Sequence, residues 1–178
     1  MLSDGRASAL APEPGRTHPA LLPLTNPRES WRTRLLRHRF NWFPAYRGTG
    51  ARIDFIAHDW SEVRIRLPLS WRTRNYVGTI FGGSLYGALD PIYMIQLIQR
   101  LGPDYVVWDK AATIRFLKPG RESLFATFRV TEDELAGIRV EVAAAGKCER
   151  EFVVELANLA GEAHVHCRKL LHIRRREG

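Results

Sequence analysis

Cysteine is scarce in this sequence, and long apolar runs are missing. Only two cysteines occur among the 178 residues, Cys148 and Cys167, which is too few for a disulfide framework. We therefore expect buried thiols and a reducing, cytoplasmic compartment. The most apolar stretch, Ile80 to Leu101, is interrupted by Gly82-Gly83 and by Asp90-Pro91, so no segment reaches the ~20 apolar residues of a membrane span. The N-terminus also lacks a continuous apolar segment, and we expect no secretory signal.

Several common catalytic signatures are also missing. The sequence has no Gly-x-Ser-x-Gly nucleophile elbow and no phosphate-binding Walker loop, and neither cysteine has an evident base partner. His164 and His166 share one strand face and could form half of a metal site. Because no further ligand stands at a recognised spacing, we interpret them as surface histidines and expect neither a metal ion nor a bound cofactor.

Acidic residues are fewer than basic ones, and the position of the excess positive charge in the sequence is more informative than its size. The net charge is +8. Residues 1–50 carry 8 arginines and 3 acids, residues 168–178 carry 5 basic residues and 1 acid, and the segment between them is nearly neutral. A nucleic-acid-binding domain usually carries its basic surface on the folded body. We therefore interpret the excess as solvated basic tails, with a field that steers an anionic ligand as the alternative.

The length and the hydrophobic fraction of 45% predict one folded domain behind a flexible arm. The arm comprises residues 1–27, in which five prolines prevent regular structure. The domain spans residues 28–178 and begins with an amphipathic helical extension over residues 28–47. Its apolar side chains recur at helical spacing until Pro44, namely Trp31, Leu35, Leu36 and Phe40. We expect this extension to pack on the domain edge, and a lid or an anionic-surface contact is the alternative.

One long helix among several strands predicts an α+β fold. Residues 81–101 form a central helix that is apolar on almost every side and that ends at Gly102-Pro103. A helix of this kind needs a sheet that wraps it, and the alternation of strands and helices typical of a parallel sheet is absent. The predicted strands are residues 51–57 and 62–69, which form a hairpin, and residues 105–117, 123–130, 150–158 and 162–173. Residues 132–145 are predicted as a short helix, although their alternation also fits a strand.

The segment from Asn75 to Asp90 combines the features of a reactive site. Gly82-Gly83 stands where the helix begins, and backbone without side chains lets a ligand approach the unpaired N–H groups of the first turn. Those groups and the helix dipole favour a developing negative charge, as in an oxyanion site. Asp90 follows Gly83 by seven residues on the same stripe of the helix. Gly87 would leave room beside its carboxylate, and Pro91 should kink the helix.

Asp90 has two interpretations. A carboxylate in a helix of Leu, Ile, Tyr and Met is costly when it is buried without a partner. It can serve as a general base or a nucleophile. It can equally be a structural residue, satisfied by a neighbouring hydroxyl, amide or arginine, and Asp90 alone favours this second interpretation.

The segment resembles the start of the central helix in hotdog-fold acyl-CoA thioesterases of the phenylacetyl-CoA thioesterase type. Their pattern is Asn-x-x-Gly-x-x-His-Gly-Gly, with an acid nine residues after the His. The corresponding positions here are Asn75, Gly78, Phe81, Gly82, Gly83 and Asp90. Residues 114–120 look like the strand and turn that follow, and the branch with Phe-Gly-Gly and Asp-Pro is the most similar. The resemblance covers about residues 50–174 and implies an antiparallel sheet wrapped around the central helix.

The resemblance implies catalytic roles for three residues. In the family, the helix acid activates water or attacks the thioester carbonyl directly, which corresponds to Asp90. The backbone N–H near the second glycine polarises the carbonyl oxygen, which corresponds to Gly83, and Asn75 matches a loop asparagine that helps to position the reacting groups. Phe81 departs from the family, because the better-studied members have a histidine there and a phenyl ring cannot hydrogen-bond. Phe81 would instead form an apolar wall for the acyl chain.

The resemblance also implies partners. The family pairs two chains with each site at their interface, so we expect a dimer or a dimer of dimers that binds and hydrolyses acyl-CoA. A groove between two central helices would hold the acyl group, next to Gly82 and Gly87, with Tyr86, Tyr93, Met94 and Leu97 as its apolar side chains. Lys118 and Arg121 would meet the phosphates of coenzyme A, unless they are ordinary exposed turn charges.

Two other functions stay open. A non-catalytic acyl-CoA or fatty-acyl binding module is supported by Phe81, and a nucleic-acid-associated protein is suggested by the net charge of +8.

Overall fold

A six-stranded antiparallel sheet and a broken central helix organise the fold. The computed structural model describes residues 28–176. In chain order the elements are α1 (Trp31–Trp42), α2 (Pro44–Gly48), β1 (Arg52–Ile56), β2 (Glu62–Leu67), α3 (Gly82–Leu89), α4 (Ile92–Leu101), β3 (Tyr105–Phe116), β4 (Leu124–Arg129), α5 (Glu132–Ala145), β5 (Lys147–Ala157) and β6 (Ala163–Arg175). The strands lie in the order β1-β2-β4-β5-β6-β3, each antiparallel to its neighbours. The arm predicted over residues 1–27 lies outside the described residues.

The strand predictions are confirmed, and the largest extensions are at two ends. β1 and β2 form the expected hairpin, in which Ile53 lies opposite Ile65. β5 begins at Lys147 rather than at residue 150, and β6 continues to Arg175. The extra residues belong to one continuous ladder, since Lys147 pairs with Arg174.

The central helix is divided at Asp90-Pro91 into α3 and α4, where a kink was predicted. Pro91 has no N–H to donate and takes φ −84° and ψ −10° at the start of α4. Leu85, Leu89 and Leu97 on the two segments are buried in one hydrophobic cluster with side chains of the sheet. The sheet therefore surrounds the central helix as the sequence predicted.

The segment after β4 is a helix, not a strand. Thr131 caps its N-terminus, because its side chain accepts a hydrogen bond from the backbone N–H of Glu134 while the Glu134 side chain accepts from the backbone of Thr131. Gly146 ends α5 in the left-handed conformation, at φ +74°. Leu135, Ile138 and Val142 bury one face of α5, which lies against β5 and β6.

The helical extension consists of α1 and α2, and only part of its predicted apolar face is buried. Phe40 packs edge-on against Trp60 at 6.3 Å between ring centroids, and Leu36 also contacts the core. Trp31 and Leu35, which were expected to pack, are instead 72% and 54% exposed. Thr33, which forms a capping box with Ser30, takes the buried position on α1. Among residues 28–176, no helix is long and apolar enough to cross a bilayer.

Candidate functional site

Asp90 lies at the break between α3 and α4, where Lys169 of β6 holds it. The Lys169 Nζ donates to Oδ1 of Asp90 at 2.7 Å and to the backbone carbonyl of Asp90 at 2.8 Å. The same ammonium lies 3.0 Å from Oδ1 of Asp109 on β3. One buried cation therefore joins the central helix to two neighbouring strands.

Strand alternation places Lys169 inside the fold. On β6 the inward positions are occupied by Val165, Cys167, Lys169, Leu171 and Ile173, and each of them is buried. The lysine side chain is 0% exposed. Burial by itself lowers the pKa of Lys169, but the hydrogen bonds to Asp90 and Asp109 outweigh burial and raise it above the ordinary value. Lys169 thus stays charged.

The two carboxylates around Lys169 differ in their surroundings. Burial raises the pKa of Asp109, against the opposing effect of Lys169. The Asp90 side chain is 45% exposed and reaches solvent. It is therefore not the unpartnered buried acid that the apolar helix suggested. One oxygen is fixed by Lys169, and the exposed carboxylate remains accessible to a ligand.

Tyr86 completes the surroundings of Asp90. It stands one turn before Asp90 on α3. Burial, and the neighbouring Asp90 carboxylate after it, raise the pKa of Tyr86. The Lys169 Nζ also lies 5.4 Å from the centre of the Tyr86 ring. Tyr86, predicted as a substrate-binding residue, is thus a direct neighbour of the predicted base.

Gly82 and Gly83 form the first turn of α3. Phe81 precedes this turn and provides no side-chain hydrogen bond as a cap. The backbone N–H of Phe81 donates to the Thr73 carbonyl at 2.7 Å, which fixes the entry into the helix. The N-terminus of α3 therefore presents main-chain amides without a capping side chain, the arrangement that favours a developing oxyanion.

Asn75 holds the loop that leads into α3. Its side-chain amide donates to the Thr79 hydroxyl at 2.9 Å, and its carbonyl oxygen accepts from the backbone N–H groups of Val77 and Thr79 at 3.1 and 3.0 Å. Gly78 between them has φ +82°, which a residue with a side chain rarely adopts. The hydrogen bonds that Asn75 makes among the described residues therefore stabilise the loop of residues 75–79.

A groove of about 320 Å³ opens beside the start of α3. Asn75, Thr79, Gly82, Phe116 and Lys118 are among its lining residues. Lys118 is ion-paired with Glu162, which holds the pKa of that carboxyl below its ordinary value. Arg121, predicted to bind phosphate with Lys118, is exposed on the same turn and does not line the groove.

Gly87 and Gly83 of α3 have less free space around them than the sequence suggested. A Cβ atom on Gly87 would lie 2.9 Å from the methyl group of Thr49, so the room expected at Gly87 is filled by the side chain of this residue, which follows α2. A Cβ atom on Gly83 would lie 2.4 Å from the ring of Phe81. Phe81 is therefore a partly exposed wall over the first turn of α3.

The apolar groove proposed between two central helices loses two of its members. Tyr93 and Leu97 are buried in the core, where the Tyr93 hydroxyl donates to the Val153 carbonyl at 3.0 Å. Period 3.6 turns these two side chains towards the sheet rather than towards a second chain. Tyr86 and Met94 remain half-buried and available at the surface of the helix.

The two histidines considered as half of a metal site, His164 and His166 of β6, do not share one environment. His164 is buried, against the prediction of a surface position, and its Nδ1 lies 3.1 Å from the Pro119 carbonyl. His166 lies beside Glu155. No group of three or more metal-ligating side chains occurs in the part of the chain that the structure describes.

Comparison with known proteins identifies the fold. A family model described as Domain of unknown function (DUF4442) matches residues 33–173. No curated protein matches the sequence. A protein of unknown function from Pseudomonas aeruginosa, described as a "Probable Thioesterase", superposes with a TM-score of 0.73 at 20% identity, over 83% of this chain and 99% of that chain.

Two further solved structures agree. A thioesterase from Haemophilus influenzae has a TM-score of 0.61 at 12% identity, over 85% of this chain and 96% of that chain. The PaaI protein from the phenylacetic acid degradation operon of Escherichia coli has a TM-score of 0.56 at 17% identity, over 83% and 94% of the two chains. These similarities confirm the predicted α+β hotdog fold.

Proposed function

This chain belongs to the family described as Domain of unknown function (DUF4442), and from its hotdog fold and its site we propose that it is an acyl-CoA thioesterase. The observation that carries the proposal is the Asp90 carboxylate, which is half-exposed and is held by a fully buried lysine at the break of the central helix. Structural neighbours described as thioesterases support the same reaction class.

Asp90 is proposed as the general base. The alternative role for the same carboxylate is direct nucleophilic attack on the thioester carbonyl. As a base it takes a proton from water while the water oxygen bonds to the thioester carbonyl carbon. The carbon–sulfur bond then breaks, the thiolate of coenzyme A takes up the proton, and a carboxylic acid is left. Lys169 positions the carboxylate through its hydrogen bond to Oδ1, and the Tyr86 ring lies beside the same ammonium group.

The start of α3 is proposed as the oxyanion site. The amide of Gly83 would donate to the carbonyl oxygen as charge develops on it, with the positive end of the helix dipole adding to the effect. Asn75 is proposed as a positioning residue, because it fixes the loop before α3. Phe81 and Gly82 would border the acyl group, and Lys118 would reach a phosphate of coenzyme A after leaving Glu162.

The proposed site needs two chains. Seven residues of helix separate Gly83 and Asp90 by about 10 Å, which is too far for one carbonyl group to meet both. In the described part of the chain, β3 is an edge strand that pairs only with β6. Its exposed side chains include Trp108 and Phe116. Pairing of two β3 edges would bring Asp90 of one chain towards Gly83 of the other.

A non-catalytic acyl-binding module is the second candidate. Phe81 favours it, since the residue adds apolar wall where a histidine would add a hydrogen bond, and its ring covers Gly83. In that case acyl-CoA would bind saturably and no thiol would be released. A bound cofactor is not required by either proposal.

The test is release of free thiol from aliphatic and aromatic acyl-CoA substrates of graded chain length. We expect turnover by the wild-type protein and loss of most of it in Asp90→Asn, with folding and acyl-CoA binding retained. Asp104→Asn, a change at an exposed aspartate, is the matched control. Full hydrolysis by Asp90→Asn would remove Asp90 from the mechanism, and binding without hydrolysis by the wild type would favour the binding module.

A further inference from the structure

Helix α1 has a second apolar stripe that faces away from the core. Trp31, Leu35 and Trp42 are spaced by four and seven residues and therefore lie on one face of the helix. They are 72%, 54% and 69% exposed. The opposite face is the one that packs on the domain, through Thr33 and Phe40. The outward stripe therefore does not take part in packing α1 on the domain.

The stripe continues onto neighbouring elements. Trp42 lines a groove of about 590 Å³ together with Trp71, which is 86% exposed in the loop after β2. On its other side Trp42 borders an open, mostly apolar cavity of about 560 Å³, shared with Leu36, Phe40 and Phe43. One aromatic side chain therefore separates a polar groove from an apolar cavity. We call the surface formed by the stripe, Phe43, Trp71 and these two depressions the α1 face.

Arginine surrounds the aromatic side chains of the α1 face. A guanidinium lies over the ring of each of its three tryptophans, Arg32 at 5.4 Å from Trp31, Arg47 at 4.8 Å from Trp42, and Arg72 at 5.7 Å from Trp71. Arg39 borders the apolar cavity, and Arg52 lines the polar groove. Aromatic and cationic side chains thus alternate over the α1 face.

Among residues 28–176, no ion pair neutralises the arginines that lie over the tryptophans of the α1 face. The two acids nearby already have partners, because Glu29 is paired with Arg37 and Asp54 with Arg66. Residues 28–50 contain six arginines and one acid, whereas residues 1–27 contain two of each. The N-terminal part of the excess, which was interpreted with residues 168–178 as solvated basic tails, therefore includes arginines of a folded, aromatic-rich surface.

The charge pattern selects one occupant. A second copy of the chain would bring two arginine-rich faces together, which is repulsive. Residues 1–27 have no net charge to complement the arginines. An anionic phospholipid surface can bind both kinds of side chain on the α1 face. Its phosphates attract guanidinium groups, and its headgroup–acyl boundary accepts tryptophan and leucine.

We propose that the α1 face docks the protein on anionic phospholipid membranes. The side chains of Trp31, Leu35, Trp42 and Trp71 enter the headgroup–acyl boundary, and the neighbouring arginines bind lipid phosphates. The association is peripheral, consistent with a helix that lies along the surface rather than one that crosses the bilayer. The proposal does not depend on the thioesterase site, because the contacts that carry it are those of α1, Arg47 and the Trp71 loop and do not involve Asp90 or Lys169.

The test is sedimentation of the full-length protein with vesicles. One set contains phosphatidylcholine alone, and the other contains phosphatidylcholine with phosphatidylglycerol. Trp31→Ser/Leu35→Ser removes the apolar stripe, and Arg32→Gln/Arg39→Gln removes charge. Val140→Ser/Val153→Ser is the matched control, because these valines are also exposed but lie on α5 and β5.

We expect binding to the anionic vesicles, little binding to phosphatidylcholine, and weakening by salt. The Arg32→Gln/Arg39→Gln variant should bind about thirtyfold more weakly, and the Trp31→Ser/Leu35→Ser variant about tenfold or more. The control should bind like the wild type, and all variants should hydrolyse soluble acyl-CoA equally. Equal binding to both lipids, or undiminished binding by the α1 variants, would overturn the proposal. It would also be overturned if duplex DNA bound through the same residues without vesicle binding, or if the α1 variants changed the oligomer mass instead.

Discussion

The ammonium group of Lys169 lies 2.7 Å from a carboxylate oxygen of Asp90, although 79 residues separate the two in the chain. This ion pair gives a structural reason for a carboxylate in the middle of an apolar helix. It fixes one oxygen of Asp90 from the buried side while the rest of the group stays open to solvent. The structural and the catalytic interpretations of Asp90 are therefore compatible.

Removing the positive charge at Lys169 should damage both folding and turnover. Lys169→Met leaves Asp109 without its cation, and breaking a buried pair in this way costs about 3–5 kcal/mol. Lys169→Arg keeps the charge and should recover part of the loss. Urea unfolding measures the stability, and thiol release measures kcat and KM separately.

A positioning role predicts a fall in kcat for Lys169→Arg with KM nearly unchanged, because the guanidinium cannot reproduce the same contacts to Asp90. A purely structural lysine would give a folded Lys169→Arg protein with wild-type kcat, and that result would separate Lys169 from the reaction.

Asp109 should make stability depend on pH in the acid range. Its pKa is raised in the folded protein, so the folded state holds the proton more tightly than the unfolded state does. The stabilisation this gives is complete below the ordinary pKa of 3.8 and is lost as the pH rises through the higher folded value. The stability of the wild type relative to Asp109→Asn should therefore fall as the pH rises from about 3 to about 7. A difference that grew over this range would contradict the assignment.

The contact between Gly87 and Thr49 should appear in a double-mutant cycle. Gly87→Ala brings a methyl group within 2.9 Å of the Thr49 methyl and should destabilise the protein by about 1 kcal/mol. Thr49→Ser removes that methyl and keeps the hydroxyl that bonds to the Tyr46 carbonyl. In the Thr49→Ser background, Gly87→Ala should instead stabilise by up to about 1 kcal/mol, because alanine favours helix. Additive effects on the melting temperature would show that the two residues do not meet.

Local patterns predicted most of the fold. The alternation of apolar and polar residues in 51–57 and 62–69 is enough to predict the hairpin. Pro91 is enough to predict the break in the central helix. Both features are set by residues that are close together in the sequence. The exposure of Trp31 and Leu35 could not be predicted in this way, because the helical spacing fits two opposite faces of α1 and only the tertiary contacts choose between them.

The candidate site was predicted only in part. Asp90 and the two glycines follow from their positions on the helix, whereas Lys169 and Asp109 were missed. A signal for Lys169 was present, because it occupies an inward position between Cys167 and Leu171 on an alternating strand. Its partner could not be read from the sequence, since the antiparallel pairing of β3 with β6 brings Asp109 beside it.

Complementation between two inactive chains shows most directly whether Asp90 and Gly83 act together across a dimer. Asp90→Asn and Gly83→Val are purified separately and as a mixed dimer in which each chain carries a different tag. A valine at Gly83 meets the ring of Phe81 and should block the oxyanion site. Each variant alone should release almost no thiol from acyl-CoA.

A site shared between chains gives the mixed dimer one intact centre, with Asp90 from one chain and Gly83 from the other. We expect the mixed dimer to recover about half of the wild-type thiol release, since it holds one of two symmetric sites. A mixed dimer that stays as inactive as its two parents, although it is folded and fully paired, would contradict a site shared between chains.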